Sequence, residues 1–520
     1  MTDLPSGWAL TRLSEICEIN PRVDKSAFEP DTVVSFVAMP AVEAETGRID
    51  VSETRTFSQI KQGYTPFKKN DVLFAKITPC MENGKMAIVP EMVGEYGFGS
   101  TEFHVLRPAQ GVDPKYIYLA VSDQGFRYHA EHNMTGAVGQ KRVPSSVLEE
   151  HELGLPPSNE QRRIVEKIEA MFDKIDKGVE SLQTARTTLG LYRQSLLKSA
   201  FEGRLTTDWR AQNAGKLEAP ETLLALLKKE RDAWHKVEFN RWQNEVADWQ
   251  SDGSKGPKPR KSDAFKPSAT LSQAEQAVLP ELPDEWVYCR LSDIACVGSG
   301  MSVSKARKHE DPVETPYLRV ANVQRGHLNL KEMKSMPVEQ SQLPALRLRT
   351  WDILFNEGGD RDKLGRGWIW EDQVEPCITQ NHVFRATPFR HDKGWSMFIS
   401  QWGNSFGRDY FEAGGKQTTN LASINKTVLK ALPVPVCSAA EQAEIVRLLD
   451  AKFEAADALE AEIDAALTRA DAFRKSILKK AFSGQLVPQD PKDEPASALL
   501  ERMKANRSKA PKTKRRRQHA

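Results

Sequence analysis

At 520 residues the chain is too long for a single hydrophobic core, so several domains are expected, and 39% hydrophobic with 28% charged residues is an ordinary globular composition. No apolar run reaches the roughly 18–20 residues that a membrane-spanning helix needs, which excludes a membrane protein, and the N-terminus lacks the charged-then-apolar pattern of a secretory leader, so the chain reads as cytoplasmic. A net charge of +2 does not announce a nucleic-acid binder, so any contact with DNA has to come from local patches.

Residues 1–157 read as a first α+β domain. Short β-like runs such as Val72-Leu73-Phe74-Ala75 and Phe103-His104-Val105-Leu106 alternate with turns rich in Gly, Pro, Asn and Asp. Tyr96-Gly97-Phe98-Gly99-Ser100 reads as a β-turn rather than a cofactor-binding glycine loop. Residues 1–155 carry 15 Lys/Arg against 21 Asp/Glu, yet Arg55, Lys61, Lys68, Lys69, Lys76 and Lys85 make 55–85 locally basic. The domain ends at a proline stop, Leu155-Pro156-Pro157. Ser158 follows as a candidate helix cap, with Gln161 three residues on completing a capping box.

The next segment, 158–205, predicts one long helix. Apolar or small residues recur at 164, 168, 171, 175, 178, 182, 185, 189, 192 and 196, the alternating four-and-three spacing of a heptad seam. From 158 to about 202 such a helix runs roughly 65 Å at 1.5 Å per residue. Residues 206–281 predict a charged helical insertion and a linker. Trp234, Trp242 and Trp249 lie there at helical spacing, more in keeping with packing than with a binding stripe. A second α+β domain spans 282–437, with 20 Lys/Arg against 18 Asp/Glu and runs such as Ile353-Leu354-Phe355 and His382-Val383-Phe384. After Leu432-Pro433-Val434-Pro435, Ser438 and Glu441 offer a second capping box. A second long helix, 438–486, has its seam at 445, 449, 452, 456, 459, 463, 466, 470, 473 and 477. A basic tail closes the chain, 487–520; within it Lys504 to Arg517 carries eight basic residues and reads as a disordered, solvated extension available for non-specific phosphate contact.

These elements are one pattern written twice. Leu4-Pro5-Ser6-Gly7-Trp8 returns as Leu282-Pro283-Asp284-Glu285-Trp286, and Glu160-Gln161 returns as Glu441-Gln442. Tyr192-Arg193-Gln194-Ser195, with Phe201 and Gly203, returns as Phe473-Arg474-Lys475-Ser476, with Phe482 and Gly484. The helical correspondences keep one offset, 281 residues, so no insertion separates them. A period this long marks duplicated domains, since solenoid repeats run about 20–50 residues. The two helices pairing with each other as an antiparallel coiled coil is the economical arrangement; self-association of two chains is the rival.

Catalytic chemistry is missing. Leu155-Pro156-Pro157-Ser158 fails the Asn/Asp-Pro-Pro-aromatic turn of an amino-methyltransferase, and neither Gly84-Lys85-Met86 nor Gly415-Lys416-Gln417 makes a Walker A loop. Asp360-Arg361-Asp362-Lys363 reads as a charged solvent loop, not a nuclease centre. The six cysteines include no CxxC pair and no zinc spacing, and read as reduced thiols.

In this setting several strings resemble the DNA-specificity (S) subunit of type I restriction-modification systems. They are Phe74-Ala75-Lys76-Ile77-Thr78-Pro79-Cys80-Met81-Glu82-Asn83-Gly84-Lys85, Gly97 through Pro108, Met134 through Val143, Leu318-Arg319-Val320-Ala321-Asn322-Val323 and Gly414-Gly415-Lys416-Gln417-Thr418. The resemblance covers almost the whole chain except 228–281. It implies an α+β fold with two tandem target-recognition domains, each followed by a long helix, and a non-catalytic protein that reads a bipartite, asymmetric site on double-stranded DNA. Half-sites reached from one face lie about 10–10.5 bp apart. The implied partners are two methylation subunits and the restriction/translocase subunits. S-adenosylmethionine, ATP and Mg2+ belong to those partners, with no cofactor or metal on this chain.

Major-groove reading favours Arg or Lys on guanine and Gln or Asn on adenine. The candidate DNA-binding residues are therefore Lys76, Asn83, Lys85, Gln140, Lys141 and Arg142 in the first domain. In the second they are Arg361, Lys363, Arg366, Lys416 and Gln417, with Arg319 and Asn322 added by the resemblance. For each the competing reading is a solvent-facing loop residue, and phosphate contact suits the lysines better than base contact. His104 and His382 fall at matching places in β-like runs and read as structural. Two other functions compete with DNA reading: an interaction scaffold built on the same helices, and a self-sufficient restriction-methylation enzyme.

Overall fold

The structure is a computed structural model that describes residues 4–60, 62–137, 139–254, 258–259, 268–303, 310–359, 363–417 and 422–509. The chain divides into two compact units. The first comprises Met1–Thr184 with Ile463–Ala520, and the second Ala185–Glu462, so each long helix is shared between them.

In the first unit a four-stranded antiparallel sheet takes the order Cys17–Ile19, Phe103–Pro108, Val72–Ala75, Met86–Ile88. A second sheet orders Thr54–Thr56, Val33–Val37, Tyr96–Gly99, Thr65–Lys68, with the middle two strands parallel. Tyr96–Gly99 is thus a strand, correcting the turn read from its glycines. The run Val72-Leu73-Phe74-Ala75 is continuously apolar because both faces of its strand are covered. Val72 and Phe74 enter one core, with Leu106, Tyr116 and Phe126, while Leu73 and Ala75 enter another with Val105. Ile164 and Ile168 of the first long helix and Ile477 and Ala481 of the second complete the larger core.

The second unit repeats this plan. Ala295–Ser299, Val383–Pro388, Ile353–Asn356 and Gly367–Ile369 form the four-stranded sheet, and Lys334–Glu339, Pro312–Leu318 and Ile378–Thr379 the other, again with one parallel pair. Even the buried carboxylate recurs. Asp71 accepts Lys68 N at 2.8 Å and grips Arg107 at 2.9 and 2.8 Å. Asp352 accepts Arg349 N at 2.8 Å and Thr387 Oγ1 at 2.5 Å, and its burial holds its carboxyl above the usual range.

The repeated sequence punctuation acquires a structural cause. Trp8 Nε1 donates to Glu160 at 3.0 Å and Trp286 Nε1 to Glu441 at 2.9 Å, so the paired Trp and Glu-Gln motifs are two ends of one buried bond. Gln161 and Gln442 donate to the carbonyls of Pro156 and Cys437, each just before its helix. Ser438 caps its helix by accepting Glu441 N at 3.2 Å, but Ser158 donates to Gly111 O instead, so the first capping box does not form. Gly203 and Gly484 end the long helices at φ +69° and +71°. A Cβ there would lie 2.3 Å from Pro283 and 2.1 Å from Pro5, which no side chain tolerates.

Both long helices have 44 residues, Ser158–Phe201 and Ala439–Phe482. In the second unit Arg193 meets Asp457 at 2.6 Å and Glu460 at 3.0 Å, and Arg186 meets Glu460. In the first unit Arg474 pairs with Asp176 and lies 5.0 Å over the Phe172 ring. Falling numbers on one helix meet rising numbers on the other, so the helices of this one chain run antiparallel in each unit. The heptad seam needs correction, however. Gly178, Ala185, Tyr192, Leu459 and Phe473 are exposed, while Arg193, Glu460 and Arg474 occupy the interface. A straight helix drifts about 20° per heptad against a 3.5-residue repeat, and ion pairs take over where the stripe turns away.

The insertion contains a helix, Pro220–Ser251, packed in the second unit. Leu223 and Leu227 are buried, Glu238 grips Arg349 at 3.1 Å, and Trp234 lies 5.2 Å from Phe389. The tail contains a helix, Ala496–Lys509, docked by Ala496, Leu499 and Met503; within the segment read as a solvated extension, 504–508 are exposed but helical. Residues 510–520 lie outside the described residues. Among the described residues no helix is long and apolar enough to cross a membrane.

Candidate nucleic-acid interface

In the first unit, the chain leaving Val72–Ala75 passes through Lys76, Ile77 and Thr78 into a turn that returns at Met86. A hairpin rises beside it. Thr135 and Arg142 exchange backbone bonds at 2.9 and 2.8 Å, and Gly136 and Gly139, at φ +122° and +81°, let the tip turn sharply. The hairpin is stitched to the first segment by Thr78 N to Lys141 O at 3.0 Å and Val143 N to Lys76 O at 2.8 Å.

On this frame Gln140 and Lys141 are exposed, as is Asn83, and Lys76 is half-buried with no ion pair among the described residues. Two candidates change meaning. Lys85 donates to Met39 O at 3.2 Å and braces its own turn. Arg142 grips both oxygens of Glu102, at 2.9 and 2.8 Å, and reaches Gln140 O at 3.1 Å, so its guanidinium is engaged within the domain. Arg142 in turn holds the Glu102 carboxyl below its usual range. His104 is structural: it is buried, its Nε2 lies 2.8 Å from Val143 O, and burial lowers its pKa.

The second unit places a hairpin at the same topological position. Lys416–Gln417 pairs with Ala422–Ser423, which pairs with Gly358–Gly359 beyond strand Ile353–Asn356. Glu357 N bonds His382 O and Ile424 N bonds Glu357 O, as Lys76 N bonds Glu102 O and Val143 N bonds Lys76 O. Lys76 therefore corresponds to Glu357, Glu102 to His382 and Arg142 to Ser423. This corrects the pairing of His104 with His382. His382 is 56% exposed and lies 2.7 Å from Glu357, whereas Phe384 holds the place of His104.

Arg361 and the side chains of Lys416 and Gln417 lie outside the described residues. Arg366 is near the hairpin and donates to Gln324 at 3.1 Å, and its N bonds Lys363 O. Arg319 and Asn322 are corrected as groove-facing candidates. Asn322 is 2% exposed and accepts Arg319 N, and it donates to Asn329 O and Glu332 O; Arg319 also donates to Glu332 O. They knot their own loop. Sequence reasoning missed Glu102 and Glu357, because a search for cations passes over the carboxylates that hold them, and it misplaced His382.

The frames can present a few polar side chains, and among the described residues they hold no constellation of nucleophile and base. Among the described residues no group of His, Cys, Asp and Glu is arranged to hold a metal ion.

Comparison with known proteins gives this geometry its context. The chain is 26% identical over 483 residues to the type I restriction enzyme EcoEI specificity subunit of Escherichia coli, covering 89% of this chain and 80% of that protein. It is 28% identical over 433 residues to the EcoAI specificity subunit of the same species, covering 78% and 70%. The fold is similar to the HsdS subunit from Thermoanaerobacter tengcongensis, with a TM-score of 0.52 at 17% identity over 93% of this chain and 98% of that one. A chain from a structure described as the basis of complex assembly and conformational transition of the type I R-M system gives a TM-score of 0.66 at 18% identity, covering 93% and 100%. The family described as the type I restriction modification DNA specificity domain matches residues 5–182 and 283–469. Those two segments fill more than half of the sequence, and the chain belongs to that family.

Proposed function

We propose that this protein is the non-catalytic, sequence-reading subunit of a type I restriction-modification complex and acts in the cytoplasm. One observation carries the reading: the same hairpin frame occurs in both domains with different side chains at equivalent backbone positions, Lys76, Glu102 and Arg142 in one and Glu357, His382 and Ser423 in the other. Identical frames with unlike chemistry suit two different half-sites on double-stranded DNA. Exposed Asn83, Gln140 and Lys141, with half-buried Lys76, are the readers in the first domain. Lys363, Arg366, Lys416, Gln417 and the unplaced Arg361 are those in the second, the lysines serving phosphates.

Two methylation subunits dock on the repeated helical segments, and restriction/translocase subunits join that assembly. S-adenosylmethionine, ATP and Mg2+ belong to those partners. Support for paired docking comes from Tyr192 and Phe473, equivalent residues of the two repeats that are 43% and 61% exposed. Large aromatics left in solvent at the same repeat position are suitable anchors for one partner surface used twice. Alanine at either position is expected to weaken capture of the methylation subunit about tenfold, near 1.4 kcal/mol. Co-purification with tagged partner at graded concentrations reads this, and unchanged capture by the double variant refutes the assignment.

The decisive test is genome-wide methylation mapping with and without this chain. Loss of one bipartite, asymmetric methylated motif on deletion supports the reading. An unchanged methylome, together with no footprint in the presence of the methylation partner, favours a scaffold. Methyl transfer by the purified chain alone would establish an enzyme.

A further inference from the structure

We infer that Arg142 is a positioning residue for base reading by the first recognition domain: its fork on Glu102 sets Gln140 and Lys141 against the 76–78 segment. This rests on the DNA-reading function proposed above and adds the device that makes it precise.

Three contacts carry the inference. Arg142 Nε and Nη2 hold the two oxygens of Glu102 at 2.9 and 2.8 Å, and Nη1 holds Gln140 O at 3.1 Å. One planar group therefore joins the end of strand Phe103–Pro108, through Glu102, to the backbone of the exposed tip. The tip needs such a brace. With Gly136 and Gly139 both at positive φ, the internal backbone bond of the tip among the described residues is Gln140 N to Ala137 O at 3.0 Å. A bidentate arginine fixes orientation as well as distance, which a lysine, a point charge on a flexible stem, does not. The second domain carries Ser423 at the equivalent position, so the brace is private to the first and the second serves as an internal control.

The test uses the full chain in complex with its methylation partner. The probes are duplexes bearing the mapped site intact, with the first half-site altered, or with the second altered. Arg142→Ala and Glu102→Ala are both expected to lower discrimination at one half-site by tenfold or more and to leave the other unchanged. Arg142→Lys, which keeps charge and fold, falls between. The salt dependence of binding stays as in wild type, because no phosphate contact is lost. Loss of a direct phosphate contact would flatten the slope of log K against log salt by about 0.9. The idea is overturned if Glu102→Ala keeps or improves discrimination while Arg142→Ala loses it, since a freed arginine would then be reading DNA itself. It is equally overturned if neither variant alters discrimination. A wild-type complex that discriminates neither half-site removes the DNA-reading proposal itself, an outcome separate from failure of the brace.

Discussion

Glu441→Ala destabilises the second unit by about 3–5 kcal/mol, the cost of leaving a buried charge without its partner. Glu441 is fully buried and accepts from Trp286 Nε1 at 2.9 Å, Thr206 Oγ1 at 2.8 Å and Arg210 Nε at 2.9 Å. The Arg210 side chain is itself only 11% exposed and would keep Gly203 O at 2.5 Å and the more distant Glu285 at 3.9 Å, so truncating the carboxylate removes its closest charge partner and leaves the indole N–H unpaired. Glu441→Gln keeps an acceptor for the indole but loses the charge pair, and falls between wild type and alanine. The equivalent change Glu160→Ala costs less, about 1–3 kcal/mol, because Glu160 accepts from the neutral donors Trp8 and Gln489. Ten of the eleven tryptophans lie within 185–462, so urea unfolding followed by tryptophan fluorescence reports on the second unit. A midpoint shift worth less than about 1 kcal/mol would discard the hub.

Acidification from pH 6.5 to 5 weakens the first unit by about 1.6 kcal/mol through His151 alone, somewhat under the limiting 1.36 kcal/mol per pH unit because the unfolded imidazole is already half protonated at pH 6.5. Burial of the imidazole against Phe126 (ring centroids 4.5 Å apart) lowers its pKa from 6.5 to about 4, with the nearby His129 acting in the same direction. The folded-state value is thus depressed. Well above pH 6.5 neither state binds the proton and the stability is fully present; as pH falls through 6.5 toward 4 the unfolded chain takes the proton and the folded one does not. His151→Phe keeps a ring against Phe126 and removes this part of the pH dependence. Part remains, since burial lowers His104 too. Hydrogen exchange of the Pro114–Ser122 helix amides at pH 6.5 and 5, corrected for intrinsic rates, measures the change. Equal pH dependence in wild type and variant would refute it.

Several elements were legible without coordinates because their causes are local. Val72-Leu73-Phe74-Ala75 is apolar enough to be a strand wherever it is buried, and Pro156-Pro157 separate strand Glu152–Leu155 from the first long helix, whereas Pro433 and Pro435 lie inside strand Pro433–Val436 and stop nothing. The duplication needed only comparison of the chain with itself. Less legible was the facing of the helical stripe. Tyr192 and Phe473 satisfy the heptad spacing yet are exposed, while Arg193 and Arg474 take the interface because Asp457, Glu460 and Asp176 await them there. The candidate site divided in the same way. Gln140 and Lys141 stand exposed on a hairpin tip, but Asn322, chemically as suitable, is consumed by its own loop.

The sequence by itself determined the two-domain repeat, the α+β class and the long helices, which follow from self-similarity, turn residues and periodicity; the family showed only as a resemblance of particular strings. Tertiary structure alone decided that Arg142 is spent on Glu102, that Lys76 and Glu357 hold equivalent places, and that Trp8 and Trp286 end on Glu160 and Glu441. The reason is that an ionic or polar side chain settles on whichever complementary group folding brings within about 3 Å. In this chain those groups come from 40 to more than 150 positions away.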